Sequence, residues 1–124
     1  MAGLTLDSGA LIGLERNHQR IRRVFATAVL DNVRMTVPVA VIVEWWRGRS
    51  DLAEDLLAAV DVEPMDESLA RAAGEALTAV PGASSIDAIV MASAARRGDL
   101  VYTADFDDLT RLRSHFRSVR VLRV

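Results

Sequence analysis

Cysteine is absent from the 124 residues, which excludes disulfide staples, thiolate metal sites and cysteine nucleophiles together. Lysine is absent too. All fifteen basic residues are arginine, a bias that base composition of the source genome accounts for first, although guanidinium also forks onto phosphate oxygens better than ammonium. No stretch approaches the roughly 18 to 20 apolar residues needed to span a bilayer. The start Met1-Ala2-Gly3-Leu4 lacks the basic segment and apolar run of a secretory leader. A cytoplasmic protein with no membrane partner is therefore expected. Long polar or low-complexity runs and internal repeats are likewise missing, and with 51% hydrophobic residues this excludes disorder for most of the chain. The formal charge of −2 provides no overall basic field to attract nucleic acid.

What is present suits one globular domain, residues 1–124, long enough to bury well over half of its unfolded surface around a single core. Leu4-Thr5-Leu6, Arg34 to Val37, Val60 to Glu63, Leu100 to Thr103 and Val119 to Val124 read as short strands. Between them lie segments with helical spacing. From Arg16 to Leu30, Ile21, Val24, Phe25, Ala28 and Val29 form one apolar stripe. Pro38 opens a helix to about Arg47, whose two apolar faces imply cover on most sides. Ser50, Asp66 and Ser84 suit the caps of three further helices, and a short one is expected around Asp107 to Ser114. Strands joined by crossovers of this length imply an α/β fold with a mostly parallel sheet and helices on both faces. Ligands of such sheets sit outside the carboxyl ends of the strands, just after Leu6, Val37 and Thr103.

Two of those three places carry an aspartate, and the pattern extends further. Asp7, Glu44, Asp87 and Asp105 each stand as the only charged residue in the windows 3–14, 37–46, 86–95 and 100–106. Carboxylates in apolar segments are expected to be partly buried, where they must protonate, find a basic partner or recruit a cation. No arginine lies in any of these windows. Hard oxygen ligands without His or Cys select Mg²⁺ or Mn²⁺. Each acid also has a plainer role: Asp7 and Asp105 suit helix caps, and Ser84 with Asp87 suits a capping box. Glu44 has the weakest such alternative, because a glutamate in mid-helix is ordinarily solvated.

Read in order, Leu6-Asp7-Ser8-Gly9-Ala10-Leu11, Pro38 with Glu44, Ile86-Asp87-Ala88-Ile89-Val90-Met91-Ala92 and Thr103-Ala104-Asp105-Phe106-Asp107-Asp108-Leu109 resemble the PIN-domain family, and its VapC toxins most of all. The resemblance covers essentially the whole chain. It implies a three-layer α/β/α sandwich and an Mg²⁺- or Mn²⁺-dependent endoribonuclease. It places Asp7, Glu44, Asp87 and Asp105 on the family's acidic quartet, Asp108 on a further acidic position, and Ser8 and Thr103 beside the quartet as supporting residues. Gly9 departs from the family, which more often carries serine there.

The same resemblance implies an RNA substrate, a cognate antitoxin protein and a homodimer. Arg47 and Arg49, flanking Gly48 in an expected loop, are the first candidates for RNA phosphates. Arg16, Arg20, Arg23, Arg96, Arg97 and the C-terminal arginines follow. One of the adjacent Trp45 and Trp46 is expected to face an interface, with Leu52, Leu56 and Leu57 as apolar surface for an antitoxin helix.

Other readings are a PIN nuclease outside any toxin–antitoxin pair, and a non-catalytic α/β interaction module whose acids are only caps. A phosphotransferase of the haloacid-dehalogenase kind requires a second aspartate where Gly9 stands. Serine hydrolysis lacks a Gly-x-Ser-x-Gly elbow, and His18 and His115 lie in polar, arginine-rich contexts.

Overall fold

A β-forming Leu4-Thr5-Leu6 runs straight into Asp7, whose carboxylate accepts from the Ala10 amide at 2.9 Å and so ends the strand and starts a helix in one residue. The computed structural model describes residues 2–124, so Met1, where the expected domain begins, lies outside the described residues. Strand β1 (Leu4–Leu6) is followed by α1 (Ser8–Glu15), α2 (Gln19–Leu30), β2 (Met35–Pro38), α3 (Val39–Trp45), α4 (Asp51–Ala58) and β3 (Asp61–Glu63). Then come α5 (Glu67–Ala79), α6 (Ser85–Arg97), β4 (Leu100–Thr103), α7 (Phe106–Leu112) and β5 (Arg120–Arg123).

All five strands pair parallel in the order β3-β2-β1-β4-β5. Helices cover both faces, giving the three-layer α/β/α sandwich with a parallel central sheet. After β1 the chain moves outward through β2 to β3, then returns across the sheet to place β4 on the other side of β1. That reversal opens a crevice at the carboxyl ends of β1 and β4, the place where open α/β sheets bind ligands.

Helix α6 fixes one wall of this crevice. Ala88, Val90, Met91, Ala92, Ser93 and Ala94 are all buried, and the small residues let the helix lie close to both the sheet and α5. Ser84 accepts from the Asp87 amide at 3.0 Å at one end. Gly98, at φ 73°, closes the other in a left-handed conformation that glycine adopts without strain.

Several local expectations are corrected. The expected Arg16–Leu30 helix starts later, at Gln19, because Asn17, at φ 58°, breaks the chain between α1 and α2, and asparagine tolerates that conformation. Within α2, Ile21 and Ala28 are buried, but Val29 is 51% exposed and leaves the expected stripe. Helix α3 stops at Trp45 because Trp46 turns to extended backbone. It is not covered on most sides either: Val41 and Trp45 are buried, whereas Val43 is 80% exposed. Trp45 enters the core and donates its indole N–H to Glu15 at 2.5 Å. Trp46 is half-buried and packs edge-to-face on Trp45, centroids 6.0 Å apart.

Candidate active site

The acids single out the crevice. Asp7, at the end of β1, is 3% exposed. One carboxylate oxygen accepts from the Ala10 amide and the other from the Thr103 hydroxyl. Thr103, the last residue of β4, in turn accepts from the Asp105 amide at 2.8 Å. A single threonine hydroxyl thus ties the loop of Asp105 to the carboxylate of Asp7. Asp87 is half-buried in the first turn of α6. Glu44 is exposed on α3 and accepts from the Ser8 hydroxyl at 3.1 Å. Asp105 and Asp108 are exposed at the start of α7.

Burial was expected of all four lone acids, and it holds for Asp7 and partly for Asp87, not for Glu44 or Asp105. The reason is position. Asp7 is enclosed because it joins a central strand to the helix packed on it, whereas Glu44 lies on the open side of α3. The capping alternatives also divide. Asp7 does cap α1, but the Asp105 side chain makes no cap hydrogen bond to α7. In α6 the bond runs one way, with Ser84 capping and Asp87 supplying only its amide.

The carboxylates act on one another. Burial pushes Asp7 up to about 6; hydrogen bonds from Thr103 and Ala10 oppose the rise, and the charges of Asp105 and Asp87 add to it. Asp87 is also raised to about 6, by burial and by Asp105, Asp108 and Glu44, against the Ser84 hydrogen bond. Repulsion therefore links Asp87 to every other acid of the set. The amino ends of α1, α6 and α7 point toward these charges and offset part of that repulsion.

Among the described residues, none of Asp7, Glu44, Asp87, Asp105 and Asp108 has an arginine within ion-pair distance. A buried carboxylate without a basic partner, surrounded by further carboxylates, is a donor set that suits a hard divalent cation. As placed, however, no three acidic side chains among the described residues stand close enough together to hold one ion. Asp7 is drawn to Ala10 and Thr103 and Glu44 to Ser8, so these carboxylates occupy separate hydrogen bonds at one end of the sheet.

Two features escaped the sequence reading. Gly9 packs against the Ala104 turn so tightly that a Cβ would lie 2.5 Å from the Ala104 Cβ and 2.9 Å from its amide nitrogen. The absence of a side chain lets α1 close on the loop leading to Asp105. The second is a buried ionic network away from these acids. Arg97 pairs with Glu63 and, at 2.9 Å, with Asp99, and donates to Thr5 and Ser93 at 2.8 Å each. Its only sequence signals are Thr5 between two leucines and an arginine closing an apolar helix.

The expected RNA contacts Arg47 and Arg49 lie in the loop after α3. Arg47 bonds the Trp46 carbonyl at 3.0 Å, and Arg49 lies 3.6 Å from Glu54. Leu52 is exposed, Leu57 half-buried and Leu56 buried, so Leu56 is unavailable to the expected antitoxin surface.

Residues 4–114 match the PIN domain family. No curated protein matches the sequence. Among solved structures, DNA-bound VapBC from Salmonella typhimurium is similar with a TM-score of 0.77 at 18% identity, covering 99% of this chain and 98% of that one. A chain of FitAB bound to a DNA fragment gives 0.64 at 18% identity, covering 97% and 94%. A chain of FitAcB from Neisseria gonorrhoeae gives 0.62 at 18% identity, covering 96% of each.

Proposed function

The chain belongs to the PIN-domain family, and on that premise we propose that it is a single-domain, Mg²⁺- or Mn²⁺-dependent endoribonuclease, the toxin of a toxin–antitoxin pair. The observation that carries the reading is Asp7: an almost fully buried carboxylate with no basic partner among the described residues, raised to about 6 by burial and by neighbouring acids. A cap alone gives no reason to surround it with Asp87 and Asp105.

Asp7, Glu44, Asp87 and Asp105 are the residues that would hold the cation, with Asp108 beside them. A bound divalent ion supplies Lewis acidity, which makes water more acidic and offsets charge on the phosphate being attacked. The chain's own residues do the positioning. Thr103 and the Ala10 amide fix both oxygens of Asp7, and Ser8 orients Glu44 toward the crevice. Asp7 and Asp87 would hold an ion in their ionised form, so protons would compete with it below about pH 6. Without a cation the same cluster would weaken RNA binding by repelling its backbone.

The similar chains come from two-protein assemblies, VapBC and FitAB. They support an antitoxin partner for this chain; the homodimer is proposed from the family resemblance alone. The test is cleavage of a pool of single-stranded RNA by the purified protein with Mn²⁺, with Mg²⁺ and with EDTA. Metal-dependent internal cleavage that Asp87→Asn abolishes supports the reading. Equal cleavage in EDTA, or none with either metal, ends it.

A further inference from the structure

A cleft of about 400 Å³ leaves the acid crevice between α1 and the ends of β4 and β5. Thr103, which donates to Asp7, and Ala104, which precedes Asp105, line the cleft. Gly9, packed against the Ala104 turn, and Gly13, packed against Ile21 and His18, bring its walls close together. Its charged or titratable side chains are Arg16, His18 and Arg123, with no side-chain carboxylate among the lining residues.

Resting on the nuclease reading, we propose that this cleft carries the RNA strand next to the scissile phosphate, with Arg16 and Arg123 holding its phosphates and His18 completing the wall. Arg123 is already positioned. Its guanidinium lies over the Phe106 ring, 4.1 Å from the centroid, and Phe106 directly follows Asp105. Its one carboxylate neighbour, Asp107, is 3.8 Å away with a highly exposed side chain, a pairing of little strength in water. Arg16 forms no ion pair among the described residues. The His18 side chain caps nothing at the start of α2.

Charge complementarity favours this path over the loop of Arg47 and Arg49. The cleft beside that loop also contains Glu15, and Arg49 faces Glu54. A polyanion crossing an acidic crevice gains most where the side chains of the adjoining wall are basic and none is acidic.

The test compares the full-length chain with Arg16→Gln/Arg123→Gln, Arg47→Gln/Arg49→Gln and Arg71→Gln. Arg71 lies on α5, paired with Glu67. A labelled pool of random-sequence oligoribonucleotides is titrated in EDTA at several salt concentrations, then cleaved with Mn²⁺. Losing two phosphate contacts should lower the salt slope by about 1.4 and weaken binding by roughly tenfold. KM should rise about tenfold with kcat within about twofold, the pattern of lost uniform binding. Arg71→Gln should match the unaltered protein.

If the unaltered chain binds and cleaves while the Arg16/Arg123 variant keeps its slope and KM, the cleft assignment is overturned and the nuclease reading stands. If the unaltered chain neither binds nor cleaves RNA, both fall. Both arginines are exposed, and Arg123→Lys, which keeps the charge, should retain the salt slope. Loss of the slope in that variant would point to a structural role and overturn the assignment too.

Discussion

Replacing Asp7 by asparagine should make the metal-free protein more stable, not less. The ordinary carboxyl value of 3.8 rises to about 6 in the fold. At about 1.36 kcal/mol per unit, holding the ionised form costs the folded state about 3 kcal/mol. The folded state binds this proton more tightly than the unfolded chain. The penalty is therefore absent well below pH 4, grows as pH rises through the interval from about 4 to about 6, and is complete above it. Asparagine keeps a side-chain oxygen for the Ala10 amide and caps about as well as aspartate. It leaves the Thr103 hydroxyl a polar neighbour.

In EDTA at pH 7.5, urea unfolding of Asp7→Asn should show a gain of about 2 kcal/mol, some of the limit being lost to the altered Thr103 bond. At pH 4.5 the gain should shrink to about 1 kcal/mol or less. Saturating Mn²⁺ should reverse the order. An ion at a hundred times its Kd stabilises the unaltered protein by about 2.7 kcal/mol and the variant by little. Two results would refute the reasoning: a variant less stable than its parent at pH 7.5 in EDTA, or equal stabilisation of both by Mn²⁺. The first would make Asp7 chiefly a cap, and the second would remove it from the metal site.

Gly9→Ser installs the residue the family more often carries, but here its Cβ would meet Ala104 at 2.5 Å. It should destabilise the fold by about 1–3 kcal/mol and weaken Mn²⁺ binding; unchanged stability would mean that the Ala104 turn yields freely. Arg97→Met leaves the buried Asp99 without its arginine and Glu63 with Arg96 alone, and should lower stability by about 3–5 kcal/mol, measured by urea unfolding. A loss under about 1 kcal/mol would show the network to be solvated. Ser8→Ala removes the hydrogen bond to Glu44 at an accessible site, so stability should hold within about 0.5 kcal/mol while Mn²⁺ affinity falls roughly tenfold. Calorimetric titrations from pH 7.5 down to pH 5 should show Mn²⁺ affinity falling, with protons released on binding, as Asp7 and Asp87 protonate near 6. A pH-independent affinity would exclude both as ligands.

The architecture was readable because its determinants are local. Leu4-Thr5-Leu6 followed by Asp7, Pro38 opening α3, and Ser50, Asp66 and Ser84 as caps all act within three or four residues. Their hydrogen bonds form as expected, from Ala53 to Ser50 at 3.1 Å and from Leu69 to Asp66 at 2.7 Å. What escaped depends on tertiary packing. Periodicity gives α2 and α3 their apolar residues, but nothing local says which of them a neighbour will cover, so Val29 and Val43 remain exposed. The Gly9–Ala104 contact and the Arg97 network join residues some ninety positions apart, and spacing carries no trace of either. The lone acids lay between these cases. Their isolation marked them as unusual, and strand order alone brought them to one crevice.

Helix α6 sharpens what that isolation means. Near its carboxyl end Arg97 pairs with the buried Asp99 and, together with Arg96, with the half-buried Glu63. Ten residues earlier on the same helix, Asp87 faces Asp7, Asp105, Asp108 and Glu44 and pairs with no arginine among the described residues. The sequence holds fifteen arginines, so basic residues are not scarce, and the fold can bring one to a buried carboxylate. Caps do not explain the difference, because Asp105 does not cap its helix and Asp87 lends only its amide. A structural role would be served better by an asparagine at position 7, which would cap without the ionisation penalty. Keeping aspartate there, with no partner and with like charges beside it, makes sense where a cation from solution is to complete the site.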